Sequence, residues 1–397
     1  MRRPSAHARC DRLHPVSTPL HGDHDLKHES PTPASARGAA ARAEVPTRNR
    51  RVTFVAYGGP EVVRFVEEDS VPMPKTGEVR IRVEASSLVF TDMLIRRNLY
   101  PMRKTLPGEV LGYDLVGRVE SRGPGTDGPQ VGTRVAALTQ VGGGQDWVCL
   151  PASAVVAVRG DLDPILIEPL VLSYMTAWQS LTRMASLKAG DSVLVIAASG
   201  AVGLAALDIA RALGLRATGV ASAARRELIE SMGAEFVPYD KPDAAGRLDE
   251  VATRLGGFAA ILDGAASEPV AAQLRRLARG GRYVGFGFTA HLRQGDRKAT
   301  VLARLWAKLR LGLRFGTLLL RQKLDSRVRF YDIHGLGTSQ PGWFRDDLAA
   351  LNELLAAGRI APHVAGVYRP ERASEAHQLI ERGAVAGRLV LDLRSEA

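Results

Sequence analysis

The chain has 397 residues, 45% of them hydrophobic, which is enough apolar material for two packed domains rather than one. Its two cysteines, Cys10 and Cys149, exclude a disulfide framework and a four-cysteine zinc site, and they point to a reducing, cytoplasmic setting. The net charge of +11 is concentrated in two segments: residues 1–50 carry nine Lys/Arg against five Asp/Glu, and residues 291–330 carry eleven against two.

Residues 1–50 are rich in Pro, Ser, Ala, Arg and His and have no apolar period, so they read as a disordered N-terminal extension. The apolar central run of a secretory signal is missing there. No stretch of roughly 20 uninterrupted apolar residues, as a bilayer span requires, occurs in the chain. From Arg51, the segments "RVTFVAYGG", "GEVRIRVEASSL", "VLGYDLVGRVESRG" and "GTRVAALT" are short strands bounded by Gly and Pro, the pattern of a β-barrel-type domain. Around Pro169 the pattern turns helical ("LVLSYMTAWQSLTRMA"). A strand at Ser192–Ala197 follows, then a helix, a strand in "RATGVAS", another helix, and strands in "EFVPY", "AAILDGA" and "GGRYVGFGF". Strands alternating with helices of about 10–15 residues specify a parallel, doubly wound sheet. The last 60 residues, with a helix in "FRDDLAALNELLAAGRI" and a strand in "GRLVLDL", fit a return to the first domain. The expected division is therefore residues 51–172, completed by 331–397, and residues 173–330 with a basic insert at 291–329.

The stretch "SVLVIAASGAVGLAALDIARALG", Ser192–Gly214, has the form of a dinucleotide-binding turn. In that turn a first glycine makes the bend, a second admits the pyrophosphate and a third lets helix and strand pack closely. Gly200 and Gly203 hold the second and third places, and Ala197 holds the first. The next strand ends in "GVASAARRELIE", with no acid at Ala221, Ser222 or Ala223 to take ribose hydroxyls. Ser222 is followed by Arg225 and Arg226, and a guanidinium can grip a 2′-phosphate through two charge-assisted hydrogen bonds. The expected cofactor is NADPH.

With "YGGPEVV", "TDMLIRRNLYP", "GYDLVGRVE", "YMTAWQSL", "AASGAVG", "GGRYVGFGF" and "GRLVLDL" in this order, the chain from about Arg51 to Leu393 resembles a medium-chain dehydrogenase/reductase of the quinone-reductase side. The resemblance implies an α/β architecture: a GroES-like barrel-type domain, a Rossmann domain and an active-site cleft between them. It implies Thr176, Ala177, Phe286 and Gly287 near the nicotinamide, and Ser199, Gly200, Ala201, Val202 and Gly203 at the pyrophosphate. Ser222, Arg225 and Tyr239 would serve the adenosine phosphate. Tyr100, in "RRNLYP", would stand over the nicotinamide pocket and donate to the acceptor oxygen, and Tyr113 would face the same cleft.

Zinc-dependent members carry a Cys before a Thr-Asp pair and a His in a Gly-His-Glu motif. Here those places read Val89-Phe90-Thr91-Asp92 and Gly112-Tyr113-Asp114, so no metal is expected. The family's asparagine three places before Asp92 is Val89, and Asp92 itself reads as a structural hydrogen-bonder. Without a Lewis acid, hydride must go to an acceptor that is already electrophilic, a quinone or an α,β-unsaturated carbonyl. The expected state is a homodimer with a small-molecule substrate and no nucleic-acid partner. Two rivals stand beside this reading: a trans-enoyl thioester reductase, and a non-catalytic NADPH-binding protein held at RNA or a membrane surface.

In residues 301–321, Leu302, Leu305, Trp306, Leu309, Leu313 and Leu320 share one face of a helix at about 100° per residue. Arg304, Lys308, Arg310, Arg314 and Arg321 fall on the other face, which Leu311, Phe315 and Leu318 interrupt. A basic amphipathic helix suits peripheral contact with a membrane. The broken polar face suits burial on two sides, so the expected role is to cover the cleft or a subunit interface.

Overall fold

A computed structural model describes residues 47–100, 103–287 and 301–394, with the side chains of 301–324 described only in part. The expected disordered extension and residues 291–300 of the basic insert thus fall almost wholly outside the described residues. The chain from Pro46 onward is one compact unit.

The described chain opens with a separate antiparallel two-stranded pair, β1 (Asn49–Phe54) and β2 (Val63–Glu68), before the first large sheet. β1 starts two residues before Arg51 because Asn49 and Arg50 already have partners. The Asn49 amide donates to Gln145 and Trp147, and the Arg50 guanidinium pairs with Asp146 at 2.8 Å. The main sheet is built on β3 (Glu78–Leu88), whose alternating Val79, Ile81, Val83 and Ala85 are all buried. After α1 (Phe90–Arg96) come β4 (Asp114–Arg122), β5 (Arg134–Leu138), β6 (Trp147–Pro151) and β7 (Val156–Ala157).

A helical stretch then joins the two sheets. It starts at α2 (Pro164–Pro169), earlier than the sequence pattern suggests, because the Asp163 carboxylate caps it by accepting from the Ile165 N–H, and Pro164 has the backbone angle of a first helical turn. Pro169 lies inside the helix, and the next turn, Leu170–Tyr174, widens to a π-helix before α3 (Met175–Gln179).

The second sheet comprises β8 (Ser192–Ile196), α4 (Ala201–Ala212), β9 (Arg216–Ala221), α5 (Arg226–Ser231), β10 (Glu235–Pro238), α6 (Ala244–Leu255), β11 (Phe258–Asp263), α7 (Val270–Arg275), β12 (Leu277–Gly285), α8 (Val301–Leu324) and β13 (Val328–Phe330). Among the described residues its strand order is β10-β9-β8-β11-β12-β13, all parallel. The order reverses at β8, the switch point at which such sheets bind ligands. Next come α9 (Ile333–Ser339) and α10 (Pro341–Ala356), which buries Leu348 and Leu351 in the core shared with α3 and α4. The return to the first sheet is made by β14 (Val364–Tyr368) and β15 (Arg388–Asp392), with α11 (Ala373–Glu381) between them. The first sheet then reads β14-β15-β3-β4-β5-β7, with β6 also on β3.

The helix over residues 301–324 forms, and the described leucines of the expected apolar face are not the ones it buries. Leu309, Leu313 and Leu320 are exposed, whereas Leu318 is buried in the cluster that holds Tyr283. Leu318 lies nine positions after Leu309, half a turn around the helix, so docking Leu318 on β12 turns Leu309, Leu313 and Leu320 outward. The expected burial on two sides therefore fails at these leucines within a single chain. Leu302, Arg304, Leu305, Trp306, Lys308, Arg310, Leu311, Arg314 and Phe315 lie outside the described side chains. Among the described residues no helix is long and apolar enough to cross a membrane.

Candidate active site

The residues singled out from the sequence gather at the carboxyl edge of the parallel sheet. Ala197 directly follows β8, Ser222 follows β9, Tyr239 follows β10, Gly264 follows β11, and Phe286 and Gly287 follow β12. This edge presents free backbone groups and helix N-termini to a ligand. Phe286 N–H donates to Asp263 at 3.0 Å, and a Cβ on Gly287 would stand 2.5 Å from the Gly264 carbonyl oxygen, so these two strand ends pack without room for a side chain. Beside Gly287 a cavity of about 200 Å³ opens, lined by Ala266, Glu268, Val270, Tyr283 and Leu318. Thr176 and Ala177 are buried on α3, which packs against α4.

The turn between β8 and α4 has the geometry of a pyrophosphate cradle. Gly203 is held against the turn: a Cβ there would lie 2.4 Å from the Ala197 carbonyl oxygen and 2.6 Å from that of Ala198. At Gly200 the nearest atom to such a Cβ is 3.4 Å away, and Gly200 is the N-cap of α4. The first-turn N–H groups of Ala201, Val202 and Gly203 have no carbonyl of their own helix to meet. Ala197 adopts φ +64°, the left-handed conformation that a glycine adopts without strain. The alanine thus keeps the glycine's backbone at a cost. Ala197→Gly is expected to stabilise the fold by about 1 kcal/mol, read as a higher urea midpoint with an unchanged slope.

At the adenosine end, β9 and β10 pair in parallel with Ala221 opposite Pro238, which brings Tyr239 and Asp240 beside Ser222 and Ala223. Ser222 caps a short turn, Ala223–Arg225, and Tyr239 is exposed. The Arg225 guanidinium donates to the Ala384 carbonyl at 2.8 Å, and Arg226 pairs with Glu230 and lies over the Phe236 ring. The acid that β9 lacks is present in space: the Asp240 carboxylate accepts from the Ala223 N–H at 3.0 Å.

Between the two sheets stands a chain of hydrogen-bonding side chains. The Tyr100 and Tyr113 hydroxyls are 2.8 Å apart, and the Tyr113 hydroxyl is 2.8 Å from Nε2 of His334. Tyr100 follows α1, Tyr113 lies just before β4, and His334 opens α9 just past β13, at the same carboxyl edge. The Tyr100 and Tyr113 rings meet edge to face at 6.2 Å. Asp332 caps α9 by accepting from the His334 N–H. Burial raises the pKa of both phenols, so both keep their protons at neutral pH. Burial lowers that of His334, with Asp332 opposing, so its imidazole is neutral there. The two tyrosines expected in the cleft do meet. His334 escaped the sequence reading, although "YDIHG" after the last apolar strand carries a cap signal, Asp two residues before His.

A buried ion cluster fixes this arrangement. Arg388 pairs with Asp114 at 2.8 Å and with Glu168, linking β15, β4 and α2 with all three side chains buried. Burial pushes the Glu168 carboxyl well above the usual range, with Arg388 opposing. The neighbouring Gly387 bridges to Gly200, and its N–H donates to the Ser199 carbonyl at 3.1 Å, so the pyrophosphate turn is tied to the first sheet. Asp92 accepts from the backbone N–H groups of Val89 and Gly112, the structural role read from the sequence, and burial raises its pKa to about 7.

A catalytic zinc ion does not fit these residues. Val89 and Phe90 offer only carbon, and the Tyr113 hydroxyl is already shared between Tyr100 and His334. Among the described residues no three of His, Cys, Asp and Glu stand together to hold a metal ion.

The chain matches two family models: alcohol dehydrogenase GroES-like domain over residues 75–160 and zinc-binding dehydrogenase over residues 232–391. It is 28% identical to quinone oxidoreductase of Lama guanicoe over 352 residues, 87% of this chain and 98% of that protein. It is 30% identical over 340 residues to a mycocerosic acid synthase-like polyketide synthase of Mycolicibacterium smegmatis, 84% of this chain but 15% of that protein. A mycobacterial protein solved in complex with NADPH superposes with a TM-score of 0.68 at 28% identity, covering 87% of this chain and 99% of that one. A GroES-like sheet domain followed by a parallel sheet with a switch-point turn agrees with these matches: the chain belongs to the medium-chain dehydrogenase/reductase superfamily, in its quinone oxidoreductase-like branch, and is an oxidoreductase.

Proposed function

We propose that this oxidoreductase is a zinc-independent NADPH-dependent reductase that delivers hydride to a quinone or an α,β-unsaturated carbonyl. The observation that carries the reading is the Tyr100–Tyr113–His334 chain, which ends at the sheet edge where the dinucleotide turn lies. The α4 N-terminus with Ala201, Val202 and Gly203 receives the pyrophosphate. Ser222, Arg225 and Tyr239 receive the adenosine phosphate, and Thr176, Ala177, Phe286 and Gly287 border the nicotinamide. When bound, the reduced nicotinamide supplies the hydride.

The chain's own residues supply the proton. Tyr100 Oη–H donates to the acceptor's carbonyl oxygen and stabilises the negative charge that develops there. As that proton transfers, Tyr113 Oη–H replaces it on Tyr100, and His334 Nε2–H replaces it on Tyr113 while Nδ1 takes a proton from water. The direction of this relay fixes the Nε2–H tautomer of His334. An enoyl thioester is itself an electrophilic α,β-unsaturated carbonyl and stands as a second acceptor class. The enzyme works in the cytoplasm as a homodimer, and Leu309, Leu313 and Leu320 of α8 give a second copy apolar surface to cover.

A screen of nucleotide oxidation against quinones, enones and enoyl thioesters tests the reading. Turnover with at least one class is expected, with NADPH bound about tenfold more tightly than NADH. No oxidation with any acceptor overturns it.

A further inference from the structure

Asp240 lies where the sequence reading found no acid. The parallel register of β9 and β10 sets it beside Ala223, and its two carboxylate oxygens stand 3.0 and 3.2 Å from the Ala223 N–H. That turn, Ala223–Arg225, follows the second strand of the dinucleotide-binding half. In this architecture the end of that strand faces the adenosine ribose, where a carboxylate takes the 2′-hydroxyl and a cation takes a 2′-phosphate. Both chemistries are present here. Ser222, Arg225 and the exposed Tyr239 suit a phosphate, while Asp240 suits a free hydroxyl. Arg225 also shares its guanidinium with the Ala384 carbonyl. Among the described residues the Asp240 carboxylate makes no ion pair and accepts the Ala223 N–H.

We infer that Asp240, reaching across from the neighbouring strand, is a specificity-determining residue that restrains the preference for the 2′-phosphorylated cofactor. This rests on the nicotinamide-dinucleotide reading of the site. The carboxylate repels a phosphate dianion a few ångströms away and accepts a hydrogen bond from the unphosphorylated ribose. Removing the charge therefore tightens NADPH and loosens NADH.

Asp240→Asn isolates the charge, because the amide oxygen still accepts from the Ala223 N–H and preserves the turn. Binding of NADPH and NADH to the full chain is titrated by nucleotide fluorescence. The variant is expected to bind NADPH at least fivefold more tightly and NADH at least twofold more weakly, with the melting temperature unchanged. The NADPH gain should shrink as salt rises from about 10 to 300 mM, which a purely structural cap would not do. Asp240→Glu should return both affinities toward those of the parent chain. If both nucleotides bind and their ratio is the same in parent and Asp240→Asn, the role of Asp240 is overturned while the functional reading stands. If the parent chain binds neither nucleotide, the functional reading fails, and this inference with it.

Discussion

Gly203→Val is expected to weaken NADPH binding at least tenfold in a chain that still folds. The added Cβ would lie 2.4 Å and 2.6 Å from two carbonyl oxygens of the β8–α4 turn. Both are backbone atoms of a strand end fixed in the sheet, so neither can swing aside as a side chain would. The helix start must move outward instead, by roughly an ångström to restore ordinary contact. The N–H groups of Ala201, Val202 and position 203 move with it, and their bonds to pyrophosphate lengthen together. Overpacking of this kind costs about 1–3 kcal/mol of stability, so circular dichroism and a urea midpoint must accompany the titration. An unchanged dissociation constant in the folded variant would show that this turn is not the binding site.

Tyr113→Phe is expected to lower kcat with a quinone or enone about 100-fold, with little change in NADPH affinity. The substitution keeps the edge-to-face ring packing on Tyr100 and removes only the hydroxyl that bridges Tyr100 to His334. Tyr100 then loses the partner that restores its proton. Tyr100→Phe should give a loss of similar size, and the double variant should be little worse than either single one, since both break the same relay. Because burial raises both phenol pKa values, the parent enzyme should show no alkaline loss of kcat from these groups up to about pH 10. Full turnover in Tyr113→Phe would remove the relay from the mechanism. Losses in the two single variants that add fully in the double variant would show that the tyrosines act separately.

The sequence by itself determined the class of fold, because that information is local and repeated. Strands with period two, Gly-bounded turns and helices after β8 and β9 are each written in about ten consecutive residues. Gly200 and Gly203 announced the turn, and at Gly203 the close backbone leaves no room for a side chain. Ala197 in the first glycine's place looked like a departure from the pattern. The backbone shows a kept conformation instead, φ +64°, which no local propensity of alanine predicts.

Pairings between residues far apart in the chain were decided only by tertiary structure. Tyr113 meets His334 from 221 positions away, and Arg388 meets Asp114 across 274. Asp240 reaches Ala223 because parallel pairing of β9 and β10 sets two strand ends level, so a search confined to the end of β9 could not find it. The basic helix makes the same point from its surface. Its period fixed a helix, but a helix with leucines on opposite sides can dock either one. The sheet took Leu318 because Gly285, without a side chain, leaves room for it above β12. Periodicity names the faces of an element, and only the shape of its neighbour chooses which face is buried.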